Sequence, residues 1–251
     1  MEYLPDTIRA IMENALVTEI SIGMSSDAVY RIDTDECYYL KIGESLKTEY
    51  DCLQWLAGKL PAPRVIHFEV NQGKHYLLTS AIAGEMIVRV DLPIERKLEL
   101  MAEAAAMWHS LSIEDCPFDW TINAQIEAAR HNLDHHRINA RKFDAIYYGK
   151  SEHELFTDLL NALPERDEDL VVTHGDLCLP NILVDRESQQ ITGFVDVGAM
   201  GISDRHLDLV LASRSIQYNL GGKYIERFYE LYGVPIDPEK QHFYCILNEF
   251  I

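Results

Sequence analysis

Residues 171–205 read VVTHGDLCLPNILVDRESQQITGFVDVGAMGISDR, and three polar side chains stand among their apolar residues: Asp176, Asn181 and Asp196. The pattern predicts short strands over 182–185 and 190–195, and the polar link between them is short enough for a hairpin. Antiparallel pairing would bring Asn181, before the first strand, next to Asp196, after the second. An amide oxygen and a carboxylate could then share one hard cation, which leaves Asp176 to face a substrate hydroxyl.

Phosphoryl transfer uses this set of groups. An Asp orients and deprotonates the attacking hydroxyl, while an Asn five residues later and a second Asp hold Mg²⁺ on the nucleotide phosphates. The spacing His174-x-Asp176-Leu177-x-x-x-Asn181 is that of the protein-kinase catalytic loop, and Asp196-x-Gly stands in the place of the kinase metal-binding Asp. We therefore predict Asp176 as the catalytic residue and Asn181 and Asp196 as Mg²⁺ ligands. The alternative interpretation is that all three are turn and strand-end residues.

The segments 174–181 and 192–196, with Asp204-Arg205 before a predicted helix, resemble the aminoglycoside 3′-phosphotransferases. These are antibiotic-resistance enzymes with a two-lobed protein-kinase-like fold, and the resemblance runs from about Gly23 to the C-terminus. It implies an α+β protein whose N-lobe is a five-stranded antiparallel sheet with one helix, and whose mainly helical C-lobe carries a small β-hairpin. It also implies ATP (or GTP) and Mg²⁺ as cofactors, and transfer of phosphate to a ring 3′-OH of a cationic acceptor, an aminoglycoside.

Upstream of this stretch, the residues predict a nucleotide-binding half. Lys41 lies on an otherwise apolar predicted strand (CYYLKI), where it is costly to bury unless paired, and Glu49 on the following helix is its predicted partner. In kinases such a Lys–Glu pair holds the Lys against the α- and β-phosphates. The alternative is a solvated lysine on an edge strand. The resemblance further implies that Ser25 and Ser26, which by themselves indicate an ordinary hairpin turn, contact the phosphates and that Tyr39 lies against the adenine ring. The backbone of Ile82 and Ala83 is predicted at the adenine edge.

The boundary between the lobes is predicted at Gly84, in a small flexible segment that follows five predicted strands. This assigns residues 1–84 to the nucleotide-binding N-lobe and 85–251 to a catalytic and acceptor-binding C-lobe. Apolar spacings of three and four predict the first C-lobe helix over 93–110, in which the Trp108-His109 pair is interpreted as packing. Further helices are predicted over 121–136, 203–218, 223–232 and 238–251.

Composition narrows the class of protein. The 251 residues are 47% apolar, enough for a sizeable core, and contain no apolar run of eighteen residues that would span a membrane. Five scattered cysteines and an N-terminus without a signal-peptide pattern favour a cytoplasmic protein with reduced thiols. The net charge of −19 repels nucleic acid and anionic membranes and attracts polycations, although acidity also serves solubility alone. We expect a monomer or weak dimer with neither nucleic acid nor membrane as a partner.

Acceptor binding is where the chain departs from the family. The resemblance assigns it to five residues: Asp144, Arg214, Asn248, Glu249 and Ile251. The family has an arginine at the position of Ala199, and acidic residues at positions where this chain has Gln217, Tyr218 and Asn219. Each lost carboxylate would weaken the binding of an ammonium group by roughly 0.2–1 kcal/mol.

Three hypotheses about the acceptor therefore stay open. The chain is an aminoglycoside kinase of altered range, or a kinase for another small hydroxyl compound such as a macrolide, choline or homoserine. The third hypothesis is a nucleotide-binding relative with little turnover.

Overall fold

The computed structural model describes residues 4–20 and 27–251. Its contacts divide the chain into two compact units. The first comprises Met1–Val90 with Pro180–Ala199, and the second comprises Asp91–Leu179 with Met200–Ile251. The predicted boundary at Gly84 stays a prediction.

The strands are short and fall in both units. In chain order they are β1 (Leu16–Ile20), β2 (Ala28–Asp33), β3 (Cys37–Gly43), β4 (Val65–Asn71), β5 (Lys74–Ser80), β6 (Glu85–Met86), β7 (Leu170–Thr173), β8 (Ile182–Val184), β9 (Ile191–Phe194) and β10 (Gly201–Asp204). The helices are α1 (Asp6–Met12), α2 (Lys47–Leu56), α3 (Ile94–His109), α4 (Ile122–Asp134), α5 (Glu152–Asn161), α6 (His206–Asn219), α7 (Ile225–Tyr232) and α8 (Pro238–Leu247). None of the helices within these described residues has the length and apolar content that a bilayer span requires.

The first unit is built on a five-stranded antiparallel sheet in the order β1-β2-β3-β5-β4. Period-two alternation places the fully buried Leu40 on the core face of β3, where it joins Ile32 and Leu78, and turns Tyr39 and Lys41 to the opposite face. The predicted five-stranded sheet is therefore confirmed. It fixes the side of the sheet on which Lys41 projects.

The predicted hairpin is also confirmed, and by its contacts it belongs to the first unit. Strand β8 pairs antiparallel with β9, with Ile182 opposite Phe194, and also with the short strand β6. The backbone N–H of Phe194 donates to the carbonyl of Pro61 at 2.9 Å. The hairpin is thus bonded to the segment that follows α2.

The second unit is mainly helical. Its core joins α4, α5, α6 and α8 through fully buried side chains such as Leu155, Val210 and Phe243. Helix α3 buries Leu98, Met101, Ala105 and Trp108, the three-and-four spacing on which its prediction rested. The two-stranded antiparallel sheet β7–β10 was not predicted, because GISD lacks an apolar alternation and the strand forms only by pairing, with Gly201 opposite Thr173.

Candidate active site

Lys41 is the charged centre of the first unit. Its ammonium Nζ donates to Glu49 Oε1 at 2.7 Å, which confirms the predicted strand-to-helix pair. The same nitrogen donates to Oδ1 of Asp196, the carboxylate that follows β9. One cation from β3 therefore bonds one carboxylate from α2 and one from the hairpin.

Burial and charge act in opposite directions on this group. Burial alone would lower the pKa of Lys41, but the two carboxylates outweigh it and raise that pKa above its ordinary value. For Glu49, burial raises the pKa and the neighbouring ammonium offsets part of the rise. The side chains are 23% and 14% exposed, so solvent screens the pair only partly. Lys41 is consequently held as an ammonium at every physiological pH.

Two backbone features lie at the hairpin end that carries Asp196. Asp196 adopts φ +56°, a left-handed conformation that costs a non-glycine residue on the order of 1–3 kcal/mol. Two residues later, a Cβ added to Gly198 would lie 3.1 Å from Cβ of Glu49. The glycine of the Asp-x-Gly motif therefore allows α2 to approach the hairpin end closely, which brings Glu49 and Asp196 to the same lysine.

Asn181 stands at the matching end of the other hairpin strand. The backbone N–H of Val195 donates to the carbonyl of Asn181 at 3.0 Å, one residue before Asp196. Asn181 is 5% exposed, whereas the Asp196 side chain is 53% exposed. An amide oxygen and a carboxylate at one hairpin end are hard oxygen donors of the kind that Mg²⁺ prefers. These residues fit the ion that the phosphotransferase resemblance implies.

The remaining predicted nucleotide contacts are less fully described. Tyr39 lies on the same face of β3 as Lys41 and is half-buried. The side chain of Ile82 packs against the hairpin, since a Cβ on Gly193 would lie 2.7 Å from its Cδ1. Ala83 is exposed in the same segment. Ser25 and Ser26 lie outside the described residues, and their roles stay predictions.

Asp176 belongs to the second unit, on the loop after β7. The turn at Gly175 has φ +83°, a left-handed conformation that glycine adopts without strain. The backbone N–H of Asp176 donates to Nδ1 of His174 at 3.2 Å, and the residue itself is exposed. An exposed aspartate on a hydrogen-bonded turn is suited to accept a proton from a substrate hydroxyl.

The backbone of the loop that carries Asp176 is hydrogen-bonded to the buried carboxylate of Asp208. Oδ2 of Asp208 accepts from the backbone N–H of His174 at 2.8 Å, and Oδ1 accepts from that of Gly175 at 3.0 Å. His109 Nε2 lies 3.2 Å from the same Oδ2. This network was not predicted from the sequence. One feature of the sequence could have indicated it: Asp208 is a charged residue on the otherwise apolar face of α6.

Three of the five predicted acceptor residues meet in the second unit. Arg214 Nη1 lies 2.8 Å from Asp144 Oδ2, and Arg214 Nη2 lies 3.3 Å from Glu249 Oε1. The backbone N–H of Asp144 also donates to Glu249 Oε2 at 3.2 Å. Burial raises the pKa of Glu249, and Arg214 offsets part of that rise. Asn248 is the residue after α8, and Ile251 is 40% exposed. In the described parts of the chain, neither forms a side-chain hydrogen bond with this cluster.

The chain is similar in sequence to known phosphotransferases. The family model described as "Phosphotransferase enzyme family" matches residues 16–244. An aminoglycoside 3′-phosphotransferase from Niallia circulans is 33% identical over 257 residues, which cover 98% of this chain and 97% of that protein. One from Streptomyces fradiae is 36% identical over 214 residues, 82% of this chain and 79% of that protein.

Solved structures give the same result. The crystal structure of an aminoglycoside-3′-phosphotransferase of type VIII covers 98% of this chain and 98% of its own, with a TM-score of 0.86 and 29% identity. The aminoglycoside phosphotransferase APH(3″)-Id from Streptomyces rimosus, in complex with ADP and streptomycin, covers 97% of this chain and 95% of its own, with a TM-score of 0.84 and 27% identity. The chain therefore belongs to the phosphotransferase enzyme family and, within it, to the aminoglycoside 3′-phosphotransferases.

Proposed function

We propose that this protein transfers the γ-phosphoryl group of ATP to a ring hydroxyl, the 3′-OH, of an aminoglycoside and thereby confers resistance to it. The observation that carries the proposal is the lysine held between two carboxylates, Glu49 and Asp196, with Asn181 at the end of the same hairpin. Catalysis of this kind depends on positioning and electrostatic stabilisation rather than on covalent chemistry.

Each residue takes a separate role in this proposal. Lys41, oriented by Glu49, binds the α- and β-phosphates of the nucleotide, and Tyr39 with the segment at Ile82 lies along its base. Asn181 and Asp196 would hold Mg²⁺, which when bound would neutralise negative charge on the phosphates. The hairpin register supports the pairing of those two ligands.

Asp176 acts on the acceptor. It accepts a hydrogen bond from the acceptor hydroxyl, orients the hydroxyl oxygen for attack on the γ-phosphorus and takes up its proton. The exposed position of the carboxylate and the hydrogen bond from its backbone N–H to His174 support this role. The buried Asp208 keeps the loop backbone in place.

The acceptor is bound through its ammonium groups by Asp144 and Glu249. Arg214 bonds both carboxylates, so it holds them at a fixed spacing and neutralises part of their charge. The chain's net charge of −19 favours the approach of a polycation. Cationic acceptors are therefore favoured over neutral alcohols.

A second candidate is transfer to a 3″-OH. A streptomycin 3″-kinase from Streptomyces griseus is 29% identical over 245 residues, and the APH(3″)-Id structure superposes about as well as the 3′-enzyme. In addition, Gln217, Tyr218 and Asn219 stand where family members carry acids, and Tyr218 is 91% exposed. An altered acceptor range would follow from those positions.

An acceptor screen tests the proposal. ATP consumption is measured with kanamycin, streptomycin, a macrolide, choline and homoserine, and products are identified by mass spectrometry and ³¹P NMR. We expect turnover with kanamycin and a 3′-phosphate product. Turnover with streptomycin alone would favour the 3″-OH, and binding of ATP and Mg²⁺ without product from any acceptor would contradict the proposal.

A further inference from the structure

A chain of hydrogen bonds, buried at His174 and part-buried beyond it, leads from the loop of Asp176 to the end of α7. Its first part is the Asp208 carboxylate, which is fully buried and accepts the backbone N–H groups of His174 and Gly175. An ionised carboxylate only accepts hydrogen bonds. His109 Nε2, 3.2 Å from Oδ2, must therefore carry a proton and donate it to Asp208.

The second part of the chain lies on the other side of the imidazole. His109 Nδ1 is 2.7 Å from the hydroxyl oxygen of Tyr232, and the two rings are nearly perpendicular at 86°. That oxygen also accepts from Arg205 Nη1 at 2.9 Å. Arg205 is held in turn by Asp169, with Nε 2.6 Å from Oδ2.

These contacts fix the direction of every hydrogen bond. Arg205 can only donate, so the Tyr232 oxygen accepts from it and the Tyr232 O–H is left to donate. The acceptor that lies at that O–H is His109 Nδ1, which must then carry a lone pair. If His109 were an imidazolium, the hydroxyl oxygen would face two donors, and within the described residues its own proton would have no acceptor. The arrangement therefore selects the neutral Nε2–H tautomer.

We propose that Tyr232 is a positioning residue for the reaction: its hydroxyl holds His109 in the Nε2–H tautomer, so that His109 completes the support of the Asp176 loop at Asp208. The inference rests on the proposed function, since it assumes that Asp176 acts on the acceptor. Tyr232 lies on α7 and acts through two other residues.

Loss of the hydroxyl removes the contact that selects the tautomer. Without it, Nδ1 can take the proton, and the Nε2 lone pair then points at the Asp208 carboxylate. The charged and titratable groups that face His109 are Asp208 from α6 and Tyr232 from α7, with Arg205 beyond the hydroxyl and His174 sharing Asp208. None of these is a predicted metal ligand.

Tyr232→Phe removes the hydroxyl alone. With kanamycin and ATP, we expect kcat to fall about three- to tenfold, the range for one net hydrogen bond, while KM for both substrates stays within twofold. Tyr229→Phe, on the same helix and equally conservative, is the matched control and should leave kcat unchanged. A wild-type kcat in Tyr232→Phe, or an equal loss in Tyr229→Phe, would overturn the proposal.

Two further measurements separate positioning from simple destabilisation. His109→Gln keeps an N–H donor for Asp208 but has no tautomers, so Tyr232→Phe should add nothing in that background. An equal effect of Tyr232→Phe in both backgrounds would contradict the inference.

¹⁵N NMR of the wild type should show His109 with Nε2 protonated and Nδ1 unprotonated at pH 7.5, with His109→Gln supplying the assignment. An Nδ1–H tautomer or an imidazolium would overturn the proposal. This measurement does not depend on turnover. If the protein shows the expected tautomer but is inactive toward every acceptor, the result contradicts the proposed function and not the assignment of the tautomer.

Discussion

Removing the charge of Glu49 is the perturbation whose effect follows most directly from the geometry. Glu49→Gln keeps the side chain's shape and its oxygen acceptor but leaves Lys41, among the residues that the structure describes, with Asp196 as its only ionic partner. The pair is short, 2.7 Å, and both side chains are mostly buried. A hydrogen bond between charged groups in such a place contributes about 1.5–3 kcal/mol, which converts to roughly 10- to 150-fold in rate.

We expect this loss in kcat/KM for ATP, because in the proposed function Glu49 orients Lys41 toward the phosphates. We also expect the Mg²⁺ concentration for half-maximal rate to rise, because the ammonium would then pair more strongly with Asp196, a proposed Mg²⁺ ligand. Both are measured by coupled ADP release at saturating kanamycin. Nucleotide affinity is measured separately by calorimetry.

The matched control is Glu95→Gln. Glu95 forms a 2.6 Å ion pair with Arg227 on the surface of the second unit, and the substitution removes the negative charge of that pair. There the side chains are 49% and 46% exposed, so solvent and salt weaken the pair and kcat/KM should stay near the wild-type value. A Glu49→Gln enzyme within threefold of wild type in kcat/KM for ATP would show that Glu49 does not hold Lys41 for phosphate binding.

Three further predictions concern other parts of the chain. Lys240→Met should destabilise the protein by about 3–5 kcal/mol in urea unfolding, because it leaves the Asp204 carboxylate buried without its ammonium partner. Burial opposes ionisation of Asp204, but hydrogen bonds from His206 and Lys240 outweigh it and lower its pKa to about 2. The stability it contributes is therefore present above about pH 4 and is lost as pH falls toward 2, and in Lys240→Met the acid transition followed by circular dichroism should move to higher pH. Gly198→Ala should cost about 1–3 kcal/mol and weaken ATP binding, since its Cβ would press on Glu49; an unchanged urea midpoint would contradict this. Because burial raises the pKa of Glu249, KM for kanamycin should rise as pH is lowered from neutrality, and Glu249→Gln should remove that rise; an identical pH profile in the variant would argue against acceptor binding there.

The parts of the site that the sequence predicts are those encoded by local pattern. The Lys41–Glu49 pair is predicted because a lysine on an apolar strand is costly to bury unless it is paired, and the next helix carries a glutamate. The hairpin follows from two apolar runs around a short polar link, and its register places Asn181 beside Val195.

The parts that the sequence does not predict depend on contacts between distant segments. Strand β10 exists through pairing with β7, thirty residues earlier. The interpretation of Trp108-His109 as packing holds for Trp108, whose ring meets that of His174 edge-on at 5.0 Å, but is incomplete for His109, which is hydrogen-bonded at both nitrogens. No spacing rule connects a histidine of α3 with a tyrosine 123 residues later.

The division of roles between the two units is tested by Asp176→Ala, assayed for both turnover and nucleotide binding. In the proposed function, Asp176 acts on the acceptor hydroxyl, whereas Lys41 and its partners bind the nucleotide. We therefore expect kcat with kanamycin to fall by about 10²–10⁴-fold, the contribution of a positioned general base, while the Kd of ATP with Mg²⁺ stays within threefold of wild type. Near-native turnover in this variant, or a parallel loss of ATP binding, would contradict these roles of Asp176 and Lys41.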